Sequence, residues 1–378
     1  SDDSISLTPS PSNSSENSFV EKTLRVTLAY AMIARPNKQL PSSLELTIQA
    51  DNDFYSVVPH LNDLPRTPES VESLPKFLPC PQDASGQAIV NKTGLGSSAA
   101  LVTSVVGALL LSFGLDMERT HNLAQLCHCH AQGKVGSGFD VSSAVFGSHV
   151  YRRFPKCTLA DLLQDLSHGG GSSGTIRKSV MELIQRAVET TWVGGVIEGM
   201  DLPDGLQLML ADVCGGSESP SMARKVLAWK ATRDKDESAY WEDLERINPK
   251  IIELLKKKSE SNNYADDKDD YQDLHMAFQE SRKALKSMGE AAGVPIEPEA
   301  QTALADATQE LEDVIAAVVP GAGGYDALAC LYVNKGDTKD RIGKLWAGWD
   351  IDGTQVCPLA VEAGKSGEGL RVEQGFPA

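Results

Sequence analysis

The segment that most constrains the fold is a glycine loop that runs directly into a long apolar stretch. Residues 94–100 read GLGSSAA, and residues 101–115 read LVTSVVGALLLSFGL without a charged side chain. If a short strand precedes the loop and a helix follows it, the backbone N–H groups of the loop form an anion site at the helix N-terminus. A plain turn in which Ser97 or Ser98 caps the helix gives the same pattern. Because Ser, Thr and Gly interrupt the stretch, it predicts a buried helix and no membrane span.

The composition indicates an acidic globular protein. The 378 residues suffice for two domains, and the formal net charge is -17. This charge argues against nucleic acid as a partner, because nucleic-acid-binding surfaces are basic. A local cluster of Lys and Arg can still attract an anionic small molecule. Seven cysteines in a long chain without a secretory signal predict reduced thiols and a cytoplasmic protein.

Helical and strand patterns are mixed along the chain and predict an α+β protein. Residues 1–18 are polar and rich in Ser, so we expect a disordered lead-in. Residues 42–53 read SSLELTIQADND, and the alternation of Leu44, Leu46 and Ile48 predicts a strand that ends in turn residues. Residues 155–176 read as a loose connection. Periodic apolar positions predict two further helices near residues 272–292 and 300–317.

Residues 127–140 read CHCHAQGKVGSGFD and allow two interpretations. The left end suggests a metal site, but consecutive residues of a helix point about 100° apart and do not converge on one ion. We therefore expect the last turns of a helix, with two half-buried thiols and with His128 and His130 on its polar face. The right end places Lys134 and Asp140 among small residues that let a ligand approach closely. We expect the chemistry at this end.

Two further patterns carry less weight. The glycine loop mimics a dinucleotide fingerprint, but Asp116, the acid about 20 positions on, is placed as a helix cap and not at a strand end. The segment AGKSG at residues 363–367 resembles the end of a P-loop. The first glycine of that motif would fall on Leu359, and no apolar helix follows.

Three segments in this order, KTGLGSSAALV, GSGFDVSSAVFGS and PGAGGYDALA, resemble motifs of the GHMP small-molecule kinases. Their flanks (YRRFP, GGSESPSMARKV and IEPEAQTAL) are similar to those of phosphomevalonate kinases of the fungal type. The resemblance runs from about Phe19 to the end of the chain. It implies two domains: an N-terminal βα domain that binds ATP, residues 19–190, and a C-terminal ferredoxin-like α/β sandwich domain, residues 191–378. Nothing upstream of Phe19 resembles the family's Pro-Gly-Lys segment, so we expect the N-terminal domain to lack its start.

The resemblance also implies the reaction and its site. The implied reaction is ATP-dependent phosphorylation of 5-phosphomevalonate to 5-diphosphomevalonate, on the mevalonate route to isoprenoids and sterols such as ergosterol. We expect the protein to need no membrane, nucleic acid or obligate protein partner. Asp140 and Lys134 would be catalytic, and Ser98 would bind Mg²⁺ together with phosphates and water, because the helix before Asp140 lacks the family's metal-binding Glu. The implied ATP-binding residues are Lys92, Thr93, Gly94, Leu95, Gly96, Ser97, Ser98 and Ala99. The implied substrate-binding residues are Ser137, Gly138, Arg152, Arg153, Ser217, Ser219, Arg224, Gly321, Ala322, Gly323 and Gly324.

Two alternatives stay open from the sequence. The chain could be another GHMP kinase, such as mevalonate or homoserine kinase, or a non-catalytic remnant. The clustered cations favour an acceptor that already carries a phosphate, because two anions must be brought together. Lys225 is a further candidate cation, and Asp326 is as consistent with a helix cap as with a ligand contact.

Overall fold

The computed structural model describes residues 4–8, 17–35, 41, 43–168, 175–213, 219–232, 239–260, 271–351 and 353–374. In chain order, its helices are α1 (Ser18–Ala34), α2 (Val58–Leu61), α3 (Pro68–Glu72), α4 (Ser97–Ser112), α5 (Thr120–Gln132), α6 (Phe139–Phe146), α7 (Cys157–His168), α8 (Lys178–Glu189), α9 (Ser219–Ala231), α10 (Ala239–Glu260), α11 (Gln272–Ala292), α12 (Glu299–Gln309) and α13 (Thr338–Ala347). The strands are β1 (Ser4–Ile5), β2 (His149–Arg152), β3 (Ile176–Arg177), β4 (Gly195–Gly199), β5 (Leu206–Val213), β6 (Val314–Val318), β7 (Ala327–Val333), β8 (Asp350–Ile351) and β9 (Thr354–Pro358).

The chain forms two compact units, each assembled from separate stretches of sequence. Unit 1 comprises Ser1–Gln49, Gly96–Asp201 and Gly364–Ala378, and unit 2 comprises Ala50–Leu95 and Leu202–Ala363. This division differs from the ranges 19–190 and 191–378, because residues 50–95 pack with the second half of the chain and residues 364–374 with the first. The chain passes from unit 2 to unit 1 between Leu95 and Gly96.

Unit 1 is built around helices α1, α4 and α5, which pack on one another. Val102, Val106 and Leu110 of α4 and Leu123 and Leu126 of α5 are fully buried in its core. Their spacing of three or four residues places them on one side of each helix. The prediction that the apolar stretch after the glycine loop is a buried helix is therefore confirmed. None of the described helices combines the length and the apolar character that a membrane crossing requires.

The last described segment of the chain completes unit 1. Ser366 forms a β-bridge with Gly147, and the N–H groups of Gly367 and Leu370 donate to the carbonyl oxygens of Phe146 (2.8 Å) and Val145 (3.0 Å). The segment AGKSG thus leads into backbone hydrogen bonds with the end of α6, which agrees with its rejection as a P-loop.

Unit 2 contains a five-stranded antiparallel sheet in the order β6-β7-β5-β9-β8. Helices α9 to α12 lie between β5 and β6 in the chain, and α13 lies between β7 and the last pair of strands. The βαββαβ connectivity, with β5 and β7 central, is that of a ferredoxin-like unit. Trp346, Leu304, Leu328 and Val356 are fully buried in the core of the unit. The predicted α+β class and the ferredoxin-like topology are confirmed.

Two predicted elements are wrong. The alternating segment at residues 43–50 forms no strand, and Leu44 and Ile48 remain 47% and 45% exposed. Apolar alternation specifies a strand only where a neighbouring strand pairs with it, and none of the described strands pairs with this segment, although Leu46 packs on the core of unit 1. The helix near 300–317 ends at Gln309. Residues 310–313, of which Asp313 has a left-handed backbone (φ 65°), turn the chain into the buried strand β6.

Two segments predicted to lack structure contain short elements. Residues 155–176, read as a loose connection, include the 12-residue helix α7. Within the expected lead-in of residues 1–18, Ser4–Ile5 pairs with Ile176 and Arg177 as a two-stranded sheet, and the remainder lies largely outside the described residues. These pairings depend on partners about 170 residues away, which no local pattern reveals.

Candidate active site

The glycine loop ends at the N-terminus of α4, where donors are left free. Gly96 is the cap residue, with a left-handed backbone (φ 76°) and no capping side chain. Its carbonyl oxygen accepts from the N–H groups of Ala99 (2.9 Å) and Ala100 (3.1 Å). Within the described part of the chain, the N–H groups of Ser97 and Ser98 donate to no other group. Neither serine caps the helix, so the plain capped turn is excluded and the helix start is arranged as an anion site.

A second helix start, that of α6, lies next to the first. Gly138 caps α6 with a left-handed backbone, and Asp140 lies in its first turn. The Oδ1 atom of Asp140 accepts from the N–H of Val141 at 2.9 Å. A Cβ placed on Gly96 would lie 3.5 Å from the Cβ of Asp140. The two helix starts therefore bring a carboxylate against the end of the glycine loop.

His128 of α5 connects these two helix starts. Its Nε2 atom lies 3.1 Å from Ser98 Oγ, 3.3 Å from Gln132 Nε2 and 3.8 Å from Asp140 Oδ2. Burial lowers the pKa of His128 and the nearby Asp140 carboxylate raises it, with burial the larger effect. The prediction of two polar-face histidines is wrong, because His128 and His130 are only 3% and 8% exposed.

The loop before Asp140 is held by side chains that donate to its carbonyl oxygens. Tyr151 donates to the oxygen of Ser137 (2.7 Å) and Gln125 to that of Gly138 (2.6 Å). Burial raises the pKa of Tyr151 to about 12, so its hydroxyl keeps the donated proton at neutral pH. A Cβ on Gly138 would lie 2.8 Å from atoms of both donors, so only glycine fits this position.

The predicted cations of unit 1 take different positions. Arg153 donates to the carbonyl oxygens of Gly136 (2.7 Å) and Val135 (3.3 Å), so it holds the same loop. Lys134 is exposed and lines a cavity of about 310 Å³ together with residues of α5 and α7. Arg152 is exposed at the end of β2. Of these cations, the Arg153 guanidinium is fixed against the loop, and the Lys134 ammonium group is open to solvent.

The predicted residues of unit 2 lie on its loops and on α9. Lys92 is exposed, whereas Thr93 is buried and its hydroxyl donates to the Asp53 carbonyl oxygen at 2.5 Å. A Cβ on Gly94 would lie 3.7 Å from the Cβ of Asp326. Arg224 and Lys225 are exposed on α9. Ser217 lies outside the described residues, as does the side chain of Ser219.

The second glycine loop, at residues 321–324, rests on the segment that precedes α12. The N–H of Gly324 donates to the carbonyl oxygen of Ile296 at 2.9 Å. A Cβ on Gly323 would lie 2.7 Å from Cα of Ile296, which leaves no room for a side chain. The next residue, Glu297, is buried and pairs with Arg282. Gly321 and Ala322 are exposed, so their backbone is open to a ligand.

Asp212, at the end of β5, is a buried acid whose titration can be tested. It is 3% exposed, and its Oδ2 atom has no hydrogen-bond partner among the described groups. Burial raises its pKa to about 6, the Ser56 hydroxyl opposes this shift and the charge of Asp326 adds to it. The folded state therefore binds a proton more tightly than the unfolded chain. The free energy of unfolding falls as the pH rises from about 4 to about 6, and the full loss remains above that range.

Replacing Asp212 with Asn should remove this pH dependence. A shift of about 2 pKa units corresponds to about 3 kcal/mol, so between pH 4 and pH 7 the stability difference between variant and wild type should change by about 2 to 3 kcal/mol in favour of the variant. Urea unfolding at several pH values measures this change, and the exposed Asp204→Asn variant is the control. Parallel profiles for Asp212→Asn and wild type would contradict the buried-acid assignment.

Sequence reasoning missed His128, Gln125 and Tyr151, although the sequence carried a signal for two of them. His121, Gln125, His128 and Gln132 are spaced by 4, 3 and 4 residues, which is one face of a helix. The residues between them on α5 are mostly buried in the core. A polar stripe on an otherwise apolar helix predicts that the stripe packs against polar groups of a neighbouring segment.

Comparisons with known proteins agree with this arrangement. The family model described as the GHMP kinases N terminal domain matches residues 85–148, which contain the glycine loop and Asp140. A crystal structure of the Lin0012 protein from Listeria innocua aligns with a TM-score of 0.64 and 19% identity, over 94% of this chain and 80% of that one. This likeness supports the fold alone. The segment at residues 85–148 thus matches the GHMP kinase class.

Several curated relatives narrow the class. Phosphomevalonate kinase from Aspergillus fumigatus is 37% identical over 88% of this chain and 68% of its own length. The enzyme of the same name from Gibberella zeae is 38% identical over 94% of this chain and 76% of its own length. A relative from Arabidopsis thaliana, named as a peroxisomal phosphomevalonate kinase, is 31% identical over 99% of this chain and 82% of its own length. The chain belongs to the phosphomevalonate kinase family.

Proposed function

We propose that this protein transfers the γ-phosphoryl group of ATP to 5-phosphomevalonate, giving 5-diphosphomevalonate and ADP, within the mevalonate route to isoprenoids and sterols. In this reaction an oxygen of the acceptor phosphate forms a bond to the γ-phosphorus, and the bond to the β-phosphate oxygen breaks. The observation that carries the proposal is the meeting of two helix starts. One has two free N–H donors, and the other presents Asp140.

The donor side of the site is assigned to residues 92–99. The free N–H groups of Ser97 and Ser98 suit phosphate oxygens, since they add to the positive end of the α4 dipole. Ser98 presents a hydroxyl oxygen beside them, and oxygen is the ligand that Mg²⁺ prefers. Magnesium, when bound there with ATP, neutralises the charge on the transferred phosphoryl group. The exposed Lys92 adds positive charge before the loop.

The acceptor side is assigned to the loop before Asp140 and to nearby cations. A phosphate monoester carries close to two negative charges at neutral pH, so bringing it to ATP requires positive charge. Lys134 and Arg152 are exposed and can contact the acceptor, whereas Arg153 orients the loop by binding its carbonyl oxygens. Asp140 either accepts the residual proton of the acceptor or orients its reacting oxygen. The assigned residues also include Ser137, Gly138, Ser217, Ser219, Arg224 and 321–324.

The assignment is tested by acceptor preference. With ATP and Mg²⁺, kcat/KM for 5-phosphomevalonate should exceed that for mevalonate by about 10³-fold or more, because cations arranged for a phosphate are left unpaired by an acceptor without one. Homoserine should not be phosphorylated measurably. A preference for mevalonate or homoserine would assign the chain to another GHMP kinase activity. Absence of turnover with every acceptor would favour the non-catalytic alternative.

A cytoplasmic location is part of the proposal. The six cysteines in the described residues form no disulfide, and four of them, including Cys127 and Cys129, are buried. Unbridged thiols are typical of a reducing compartment. A fluorescent fusion of the protein should show diffuse cytoplasmic signal, and a punctate peroxisomal pattern would contradict the proposal.

A further inference from the structure

We propose that His128 is a positioning residue that fixes the hydroxyl of Ser98, so that both lone pairs of its oxygen are available to a divalent cation bound with ATP. The inference deepens the proposed function and rests on it. It assigns a role to a side chain that neither the glycine loops nor the Asp140 segment contain.

The environment of the imidazole supports a fixed orientation. His128 is 3% exposed and sits on α5, between α4 and the start of α6. Its Nε2 atom faces three polar groups: Ser98 Oγ at 3.1 Å, Gln132 Nε2 at 3.3 Å and Asp140 Oδ2 at 3.8 Å. Phe19 lies against the ring, with the centroids 5.8 Å apart. A buried ring held by a neighbour one helical turn away has little freedom to turn.

The direction of the hydrogen bonds follows from the chemistry of these groups. The Gln132 amide is oriented with its nitrogen toward Nε2, and an amide nitrogen only donates. This orientation assigns Nε2 as the acceptor and the ring proton to Nδ1. An unprotonated Nε2 can interact with the Ser98 hydroxyl only as an acceptor. Asp140 also only accepts, and at 3.8 Å it is beyond hydrogen-bond range. The proton of Ser98 is therefore directed to His128.

This direction leaves Ser98 in a defined state. A serine hydroxyl has one proton and two lone pairs. With its proton committed to His128, the oxygen acts only as an acceptor or a cation ligand. Without the imidazole, the hydroxyl can rotate and direct its proton elsewhere, for instance to a phosphate oxygen. His128 would thus tune Mg²⁺ affinity through Ser98 and without touching the cation, as residues behind metal ligands commonly do.

The test measures how strongly Mg²⁺ enhances binding of a non-hydrolysable ATP analogue, by calorimetry with Mg²⁺ and with EDTA. His128→Leu should reduce this enhancement by about 10-fold, whereas His128→Gln, whose amide oxygen can accept from Ser98, should retain most of it. The double variant Ser98→Ala/His128→Leu should show no further loss beyond Ser98→Ala alone. The control is His149→Leu, which removes another histidine–serine hydrogen bond of unit 1 (His149 Nε2 to Ser142 Oγ, 2.8 Å).

Three results would overturn the inference. One is equal weakening of analogue binding with and without Mg²⁺ in His128→Leu, which indicates a purely structural role. Another is a double variant whose losses add, and the third is loss of the enhancement in His128→Gln to the level of His128→Leu. Because the analogue binding needs no acceptor, a failure of phosphomevalonate turnover in the wild type would overturn the proposed function and leave this test readable.

Discussion

Replacing Asp140 with Asn is expected to lower kcat by about 10³-fold and to leave the fold intact. The carboxylate lies in the first turn of α6 and against Gly96. In the proposed function, its charge acts where the acceptor oxygen meets the γ-phosphate. Asn has nearly the same volume, and its amide oxygen can still accept from the N–H of Val141. Loss of activity in this variant therefore reports on the charge and not on packing.

The controls for Asp140→Asn are a stability measurement and a remote acid. Urea unfolding of Asp140→Asn should agree with wild type within about 1 kcal/mol, and Asp161→Asn, an exposed acid of α7, should keep full turnover. A solvent deuterium isotope effect on kcat that is present in wild type and absent in the variant would indicate proton transfer. Without such an effect in wild type, the role is electrostatic. Near-normal turnover of Asp140→Asn would remove Asp140 from the site.

The second large effect is expected at the buried ion pair of unit 2. Arg282 donates from Nε and Nη2 to the carboxylate of Glu297, at distances of 2.7 to 3.0 Å, and these side chains are only 9% and 3% exposed. Glu297 also accepts from the Thr302 hydroxyl at 3.0 Å. Changing Arg282 to Met should lower the free energy of unfolding by about 3 to 5 kcal/mol, because the charge of Glu297 stays buried without its partner.

The comparison that isolates this effect uses a second ion pair between helices. Arg246 of α10 and Glu280 of α11 also pair, but both side chains are largely exposed. Arg246→Met should cost far less stability than Arg282→Met, because water already screens the exposed pair. The double variant Arg282→Met/Glu297→Leu should recover much of the stability lost in the single variant. Equal losses for Arg282→Met and Arg246→Met would show that burial does not decide the strength of the pair.

Kinase activity should also fall in Arg282→Met. Glu297 adjoins Ile296, and Ile296 supports the glycine loop at residues 321–324. That support could not be predicted from sequence. The second glycine loop was recognisable by its residues, but its own sequence does not indicate that it packs on Ile296. Arg282 and Glu297 are separated from it by a helix and a strand.

Sequence patterns predicted best where one helix or strand meets a continuous core. Helices α4 and α11 were predicted close to their observed limits, because apolar period and length suffice there. The apolar pattern near residues 300–317 merged a helix and a strand, because only the four turn residues 310–313 separate them. The segment at residues 43–50 failed for the opposite reason, since its alternation had no neighbour to pair with.

The candidate site was predictable in its glycine loops and in Asp140, and less so in the side chains that hold them. Each glycine loop alone is also typical of a plain turn, and the prediction depended on three segments that occur in one order. His128 lies in a stretch whose density of Cys and His suggests a metal site. The same residue belongs to a polar stripe with Gln125 and Gln132, which indicates a different role. The distance of 3.1 Å to Ser98 became visible only once α4 and α5 were packed together.

The β-bridge between Gly147 and Ser366 has a consequence for synthesis of the protein. The residues that pair with the end of α6 are translated after every residue of unit 2. When the ribosome has synthesised the glycine loop and Asp140, it must still add more than half of the chain before the bridge between Gly147 and Ser366 can form. All residues of unit 2 are therefore synthesised before the last residues of unit 1. Premature termination just before residue 364 would give a chain that contains Asp140 but lacks the residues that pair with the end of its helix.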